Sequence, residues 1–211
     1  MITKPSKIVC VGRNYAAHAR ELGNPVPDRP LLFLKPPSSI IYNGEAIVLP
    51  LDSQQVEHEA EIGVVLGRRA RNVAESEAMN AVAGYLPLND VTARDLQKLD
   101  VQFTRAKGYD TFCPIGEVVP KHKVDWRELE VVGRVNGRVR QSGRAADMVF
   151  SIPALIAYIT HIMTLEAGDI IATGTPEGVG PLYPDDIVEV ELPGLRSVQN
   201  PVVAQEDETR W

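Results

Sequence analysis

Three carboxylates stand two residues apart in the stretch VEHEAEIGVVLG: Glu57, Glu59 and Glu61. In an extended chain, residues i, i+2 and i+4 project from one face. Like charges so placed repel unless water, a base or a cation neutralises them. Asp90, in LPLND, closes another short apolar run just ahead of a helix start. Glu59, Glu61 and Asp90 have no cysteine or clustered histidine beside them. Such an oxygen donor set suits a hard cation, Mg²⁺, Mn²⁺ or Ca²⁺. Three protein oxygens would leave coordination positions open to water or substrate, as a catalytic site needs. A solvated strand face fits the same spacing. Against it, the apolar run from Ile62 to Leu66 argues for a strand covered on both faces.

Other residues could act on a ligand held there. His18 and Glu21 lie three apart in NYAAHARELG, on one face of a helix. A carboxylate beside a histidine orients the ring and raises its pKa, which makes a general base; an ordinary surface pair looks the same in sequence. Lys35 in LFLKPPSS and Lys107 in FTRAKGYD read as anion contacts or as snorkelling surface lysines. Arg94 and Gln97 sit one turn apart on the helix after Asp90, either reaching one ligand or facing solvent. GTPEGVGP, residues 174–181, could hold an anion through backbone amides. It lacks a P-loop lysine and the order of a dinucleotide fingerprint, and glycine-rich loops are also plain turns.

The elements that must position these residues are mostly strands. KIVCVG, LLFLKPP, EAIVLP, EHEAEIGVVLG, LPLND, GDIIATG and DIVEVELPGL read as strands. Asn136-Gly137 between alternating apolar positions marks a hairpin. Helices are expected in NYAAHARELG, with Asn14 as cap and Gly23 as stop, and in ESEAMNAVAGY, ending near Gly84. TARDLQKL follows with Thr92 and Asp95 in capping spacing. SIPALIAYITHIMTL is amphipathic, with Ser151 as cap and an apolar stripe of Ile152, Leu155, Ile156, Ile159, Ile162 and Met163. Strands outnumber helices and hairpins outnumber βαβ patterns, so the expected class is a β-rich α+β fold.

The 211 residues suit a single domain over 1–211, with a loose polar tail from about 204 to 211. A net charge of -6 without a basic patch excludes a nucleic-acid footprint. Cys10 and Cys113 form no zinc pattern and no disulfide framework. No stretch approaches the roughly 20 apolar residues of a membrane span, and the start is too short in apolar residues for a signal peptide. A cytoplasmic protein is expected.

Taken together and in order, VGRNYAAHARELG, LFLKPPSS, EHEAEIGVVLG, LNDVTARDLQ, AKGYDTFCPIG, VNGRVRQSG and GDIIATGTPEGVGP resemble the fumarylacetoacetate hydrolase family. The likeness is to its short acylpyruvase and oxaloacetate decarboxylase branch and runs from about Lys7 to Leu195. It implies a rolled mixed β-sheet with a few flanking helices, usually as a homodimer. It implies that Glu59, Glu61 and Asp90 hold one Mg²⁺ or Mn²⁺, with Glu57 a neighbour and not a ligand. His18 and Glu21 match the base and its orienting acid on a lid, and Lys107 matches a catalytic lysine. Arg94, Gln97, Thr175 and Lys35 match substrate-contacting positions. The implied substrate is a small 2-oxo acid. The implied reaction is metal-dependent cleavage of the C3–C4 bond of acylpyruvates such as fumarylpyruvate or acetylpyruvate, giving pyruvate and a carboxylic acid. Oxaloacetate decarboxylation, or isomerisation of 2-oxo and 2-hydroxydienoic acids in aromatic catabolism, would use the same residues. The intact set argues against a non-enzymatic cation-binding domain.

Overall fold

Successive side chains leave opposite faces of a strand, and here both faces meet a core. In Ile8–Gly12, Val9 and Val11 enter the larger core, while Ile8 and Cys10 enter a smaller one. In Ala60–Leu66, Ala60, Ile62, Val64 and Leu66 face the larger core and Val65 the smaller. Every residue of that strand is buried, as its apolar run predicts. This computed structural model describes residues 4–206.

Six strands make the main sheet, in the order Val119–Pro120, Val82–Asn89, Ala60–Leu66, Ile170–Ala172, Ile8–Gly12 and Leu31–Lys35. Among the described residues its only parallel pairing joins Ile8–Gly12 to Ile170–Ala172. A second sheet of five runs Arg138–Arg144, Glu130–Val135, Ile187–Leu192, Arg196–Ala204 and Ile47–Leu49, the last pair again parallel. The larger core lies between these sheets and the helix Ile152–Ile162. A short three-stranded sheet, Gly180–Pro181, Val56–His58 and Thr92–Ala93, carries the segments entering the site. The β-rich α+β class and the mixed, rolled sheet are those expected.

Local chemistry explains the agreements and the departures. Asn136 and Gly137 both have positive φ, 52° and 74°, as a two-residue hairpin turn requires. Ser151 caps its helix by accepting from the Ala154 N–H at 3.3 Å. Ile162 does not extend the buried stripe, because it stands half exposed at the helix's last turn. Asn14 is not the cap of Ala16–Glu21; Tyr15 holds that position, and the Asn14 amide is taken by Phe150 and Thr173. Thr92 does not cap Arg94–Leu99 either: its hydroxyl donates to the Asp90 carbonyl, and Asp95 accepts from Ser53 and Gln54. ESEAMNAVAGY forms a 3₁₀ helix only over Glu75–Ala81; Val82 onward joins the long strand to Asn89. Tertiary pairing overrides helical spacing there. The polar end of the chain starts ordered: Ala204 pairs with Leu49, and the Gln205 N–H reaches the Leu49 carbonyl. Residues 207–211 lie outside the described part. Among the described residues, no helix is long and apolar enough to cross a membrane.

Candidate active site

The strand bearing the glutamates is interrupted at Glu59. Val56–His58 belongs to the three-stranded sheet and Ala60–Leu66 to the main one. Glu57, on the small sheet, is not in the group that could hold an ion; it stands beside Glu59 across a shared Arg94 guanidinium. Glu57 Oε2 accepts from Arg94 Nε at 2.8 Å and Oε1 from Gln55 at 2.6 Å. The antiparallel register then brings Glu59 beside Asp90. Ala60 faces Asn89, the Asp90 N–H donates to the Glu59 carbonyl at 2.9 Å, and the Asn89 side chain accepts from the Glu59 N–H. One residue further on, Glu61 reaches the same point, where its Oε2 accepts from the Gly174 N–H at 2.8 Å. Glu59, Glu61 and Asp90 are all buried, and their ligand atoms lie within 4.8 Å of one another.

Three buried cations crowd this cluster. Lys107 Nζ donates to Glu59 Oε2 and to Asp90 Oδ2, each at 2.7 Å. Lys35 Nζ takes the other Asp90 oxygen at 2.7 Å, and Arg94 takes Glu59 Oε1 at 2.6 Å. Burial alone would raise the Glu59 carboxyl, but Lys107 and Arg94 outweigh it and hold it well below the usual range. Among the described residues no cation bonds Glu61: burial first, then the charges of Asp90 and Glu59, push it well above the usual range. Burial would lower the Lys107 ammonium, yet Asp90 and Glu59 raise it. Four buried carboxylates, Glu57 included, thus face three buried cations. The uncompensated charge, centred on Glu61, and the all-oxygen donor set fit a divalent cation at Glu59, Glu61 and Asp90.

The cluster opens into a cavity of about 310 Å³, which His18, Arg94, Gln97, Lys107 and Thr175 also line. His18 Nδ1 lies 3.2 Å from Glu21 Oε2, and Glu21 Oε1 accepts from the Gly178 N–H at 3.0 Å. Gln97 accepts from Arg94 through Oε1, which leaves its amide N–H₂ to donate. The Thr175 hydroxyl donates to the Ala60 carbonyl and accepts from Gln141. What Thr175 offers a ligand is therefore its backbone N–H, which has no acceptor among the described residues. Lys35 does not line the cavity; it stands behind Asp90, bonded to that carboxylate and to the Val91 carbonyl.

The glycine-rich loop serves the protein's own carboxylates. Its Gly174 and Gly178 amides hold Glu61 and Glu21. Both glycines have positive φ, and a Cβ on Gly178 would lie 2.0 Å from the Arg140 carbonyl oxygen. Sequence reasoning missed Gln141, which is buried and bonds the Ala60 N–H, Thr175, the Pro176 carbonyl and His58. A polar residue at an inward position of the alternating strand was its signal. Asn89 and Arg13, the latter on the cavity wall, carry no such signal.

A β-rich roll with a buried carboxylate triad opening on a cavity is the class these features define. The chain belongs to the fumarylacetoacetate hydrolase family: the family model described as Fumarylacetoacetate (FAA) hydrolase C-terminal matches residues 7–203. It is 49% identical over 204 residues to oxaloacetate tautomerase FAHD1, mitochondrial, of Arabidopsis thaliana, covering 94% of this chain and 92% of the relative. It is 46% identical over 195 residues to the mitochondrial oxaloacetate decarboxylase of Dictyostelium discoideum, covering 90% and 89%. Among solved structures, fumarylpyruvate hydrolase from Pseudomonas aeruginosa, in complex with Mn²⁺ and pyruvate, superposes with a TM-score of 0.89 at 28% identity, covering 94% and 90%. Members of this family are enzymes that decarboxylate, hydrolyse or isomerise.

Proposed function

We propose that this protein is a divalent-metal-dependent enzyme that moves a proton at C3 of 2-oxo acids bearing a carboxyl or carbonyl group at C4, with keto–enol interconversion of oxaloacetate as its reaction. The observation that carries this reading is one cavity lined by both the acidic triad and His18, whose Nδ1 is held from behind by Glu21. The names of the plant and Dictyostelium relatives support oxaloacetate as the substrate. Glu59, Glu61 and Asp90 would hold the cation, which when bound polarises the 2-oxo group as a Lewis acid. Glu21 holds His18 by Nδ1, so Nε2 is the ring nitrogen left to take the C3 proton and return it to oxygen. The Gln97 amide and the Thr175 backbone N–H donate to the substrate's oxygens. Lys107, held between Glu59 and Asp90, keeps positive charge beside the developing enolate.

A second reading is C3–C4 hydrolysis of acylpyruvates such as fumarylpyruvate or acetylpyruvate. The fixing of Glu21 by both His18 and Gly178 favours it, because a held imidazole can also activate water. Metal-stripped protein mixed with oxaloacetate, acetylpyruvate and fumarylpyruvate, with and without Mg²⁺, separates the two. Loss of the oxaloacetate enol absorbance without matching pyruvate is expected, and only with metal. Pyruvate formed from an acylpyruvate would establish the hydrolase. Pyruvate from oxaloacetate alone would make the protein a decarboxylase. His18→Ala is expected to slow the proton transfer by about 10²-fold or more.

A further inference from the structure

Two cations on the cavity wall, Arg13 and Lys98, have no counter-ion among the described residues. Lys35, Arg94 and Lys107 are each bonded to a buried carboxylate. Arg13 lines the same cavity, half-buried, and makes no hydrogen bond or ion pair among the described residues. Lys98, at the exposed rim, is likewise unpaired. An arginine partly withdrawn from water and lacking a counter-ion is poised for an anion that arrives with the ligand.

The backbone beneath Arg13 is built for this placement. The strand Ile8–Gly12 ends one residue earlier, and Arg13 turns out of it at φ 59°, a conformation that costs energy outside glycine. Asn14 pins the turn: its amide donates to the Phe150 and Thr173 carbonyls and accepts from the Phe150 N–H. Gly174 packs so close that a Cβ there would come within 2.7 Å of the Asn14 Cβ. Arg13 therefore projects from a fixed base. The remaining wall is mostly apolar, with Val11, Leu22, Leu31, Phe33 and Phe103, and the Asn24 amide on it donates to the Leu22 carbonyl. Such a wall would hold an acyl tail without help, so an unpaired guanidinium within it has use only for a charged one.

We propose that Arg13, with Lys98 beside the mouth, receives the distal carboxylate of the substrate, so that the site selects 2-oxo dicarboxylates over 2-oxo monocarboxylates. This rests on the 2-oxo acid reading above and names the substrate class within it. The triad and His18 take the 2-oxo end and Arg13 takes the far end, which fixes the substrate's direction in the cavity.

The test is calorimetric titration of the Mg²⁺-loaded protein with two stable four-carbon probes, L-malate and (S)-2-hydroxybutanoate. They share the chelating 2-hydroxy acid end and differ in a carboxylate against a methyl group. The wild type is expected to bind malate at least tenfold tighter. Arg13→Met should bring the preference to within threefold, and Arg13→Lys should restore part of it. Arg13→Gln stands in if the methionine variant does not fold. Equal affinity of the wild type for both probes, or a preference that survives loss of the guanidinium, would overturn the proposal. A malate preference that depends on Arg13 in a protein inert toward oxaloacetate would keep the carboxylate subsite and remove the tautomerase. Turnover of oxaloacetate without such a preference would do the reverse.

Discussion

At the residue scale, the site is an electrostatic problem with one charge left over. Glu61 is the carboxylate without a cation, and a bound metal would relieve it. Saturating Mg²⁺ or Mn²⁺ should then stabilise the fold. At a hundredfold excess over Kd, binding contributes about 2.7 kcal/mol, or roughly 5–10 °C of Tm in a chain of this size. Asp90→Asn removes one donor, and most of that metal-dependent rise should vanish in a thermal melt. A rise of unchanged size would remove Asp90 from the ligand set. Tyr15 presents the opposite case. Its hydroxyl is buried and has no partner among the described residues, and burial followed by the charge of Glu61 raises its pKa. An unsatisfied buried hydroxyl costs about 1–3 kcal/mol. Tyr15→Phe keeps the ring and deletes that group, so it should raise stability by about 1 kcal/mol in a denaturant melt. A comparable loss would mean that the hydroxyl has a partner such as an ordered water.

At the element scale, the parallel pairing of Ile8–Gly12 with Ile170–Ala172 is clamped at its start by one side chain. Asp169 accepts from the N–H groups of Ser6, Lys7 and Glu166 and pairs with the Lys7 ammonium at 2.6 Å. Burial would raise this carboxyl, but the backbone donors and Lys7 hold it below its usual value. A depressed folded pKa stabilises the fold above the unfolded value of 3.8, and that stability is lost as pH falls through the lower folded value. Asp169→Asn should therefore cost stability at neutral pH and flatten the acid limb of a pH–stability curve. A parallel curve displaced downward would assign the clamp's value to packing. Gly178→Ala tests the loop: φ +95° and the 2.0 Å approach to Arg140 forbid a Cβ. A loss of roughly 2–4 kcal/mol is expected, with weaker fixing of Glu21. These elements also mark what was legible in the sequence. Alternation exposed the strands, Asn136-Gly137 the hairpin, and the spacing of Glu59 and Glu61 the acidic site. Both misplaced caps, Asn14 and Thr92, have side chains that local rules assign to their own helix. Distant carbonyls claim Asn14, while Thr92 turns back to the Asp90 carbonyl two residues earlier. The break at Glu59, where the chain passes from the small sheet to the main one, depends on pairing with strands distant in sequence and leaves no local trace.

At the scale of the whole molecule, the sheet edges differ in how they are guarded. Arg138–Arg144, outermost in the five-stranded sheet, carries Arg138, Arg140 and Arg144, charges that discourage pairing with another chain. Ile47–Leu49 at the opposite edge is only three residues long. Leu31–Lys35, outermost in the main sheet, has neither protection: its first four residues are apolar, and its lysine is turned inward to Asp90. Leu34 is 48% exposed there. An apolar, uncharged edge of this kind invites a cover, and a second copy of the chain would supply one of matching character. Sedimentation is therefore expected to give about twice the 23.1 kDa of the single chain. Leu34→Asp puts a charge on that edge and should shift the protein to the monomer. Leu31 and Phe33 on the same strand line the cavity, so dissociation should also weaken substrate binding. A dimer that withstands Leu34→Asp would place the subunit contact on another face and leave this edge to solvent.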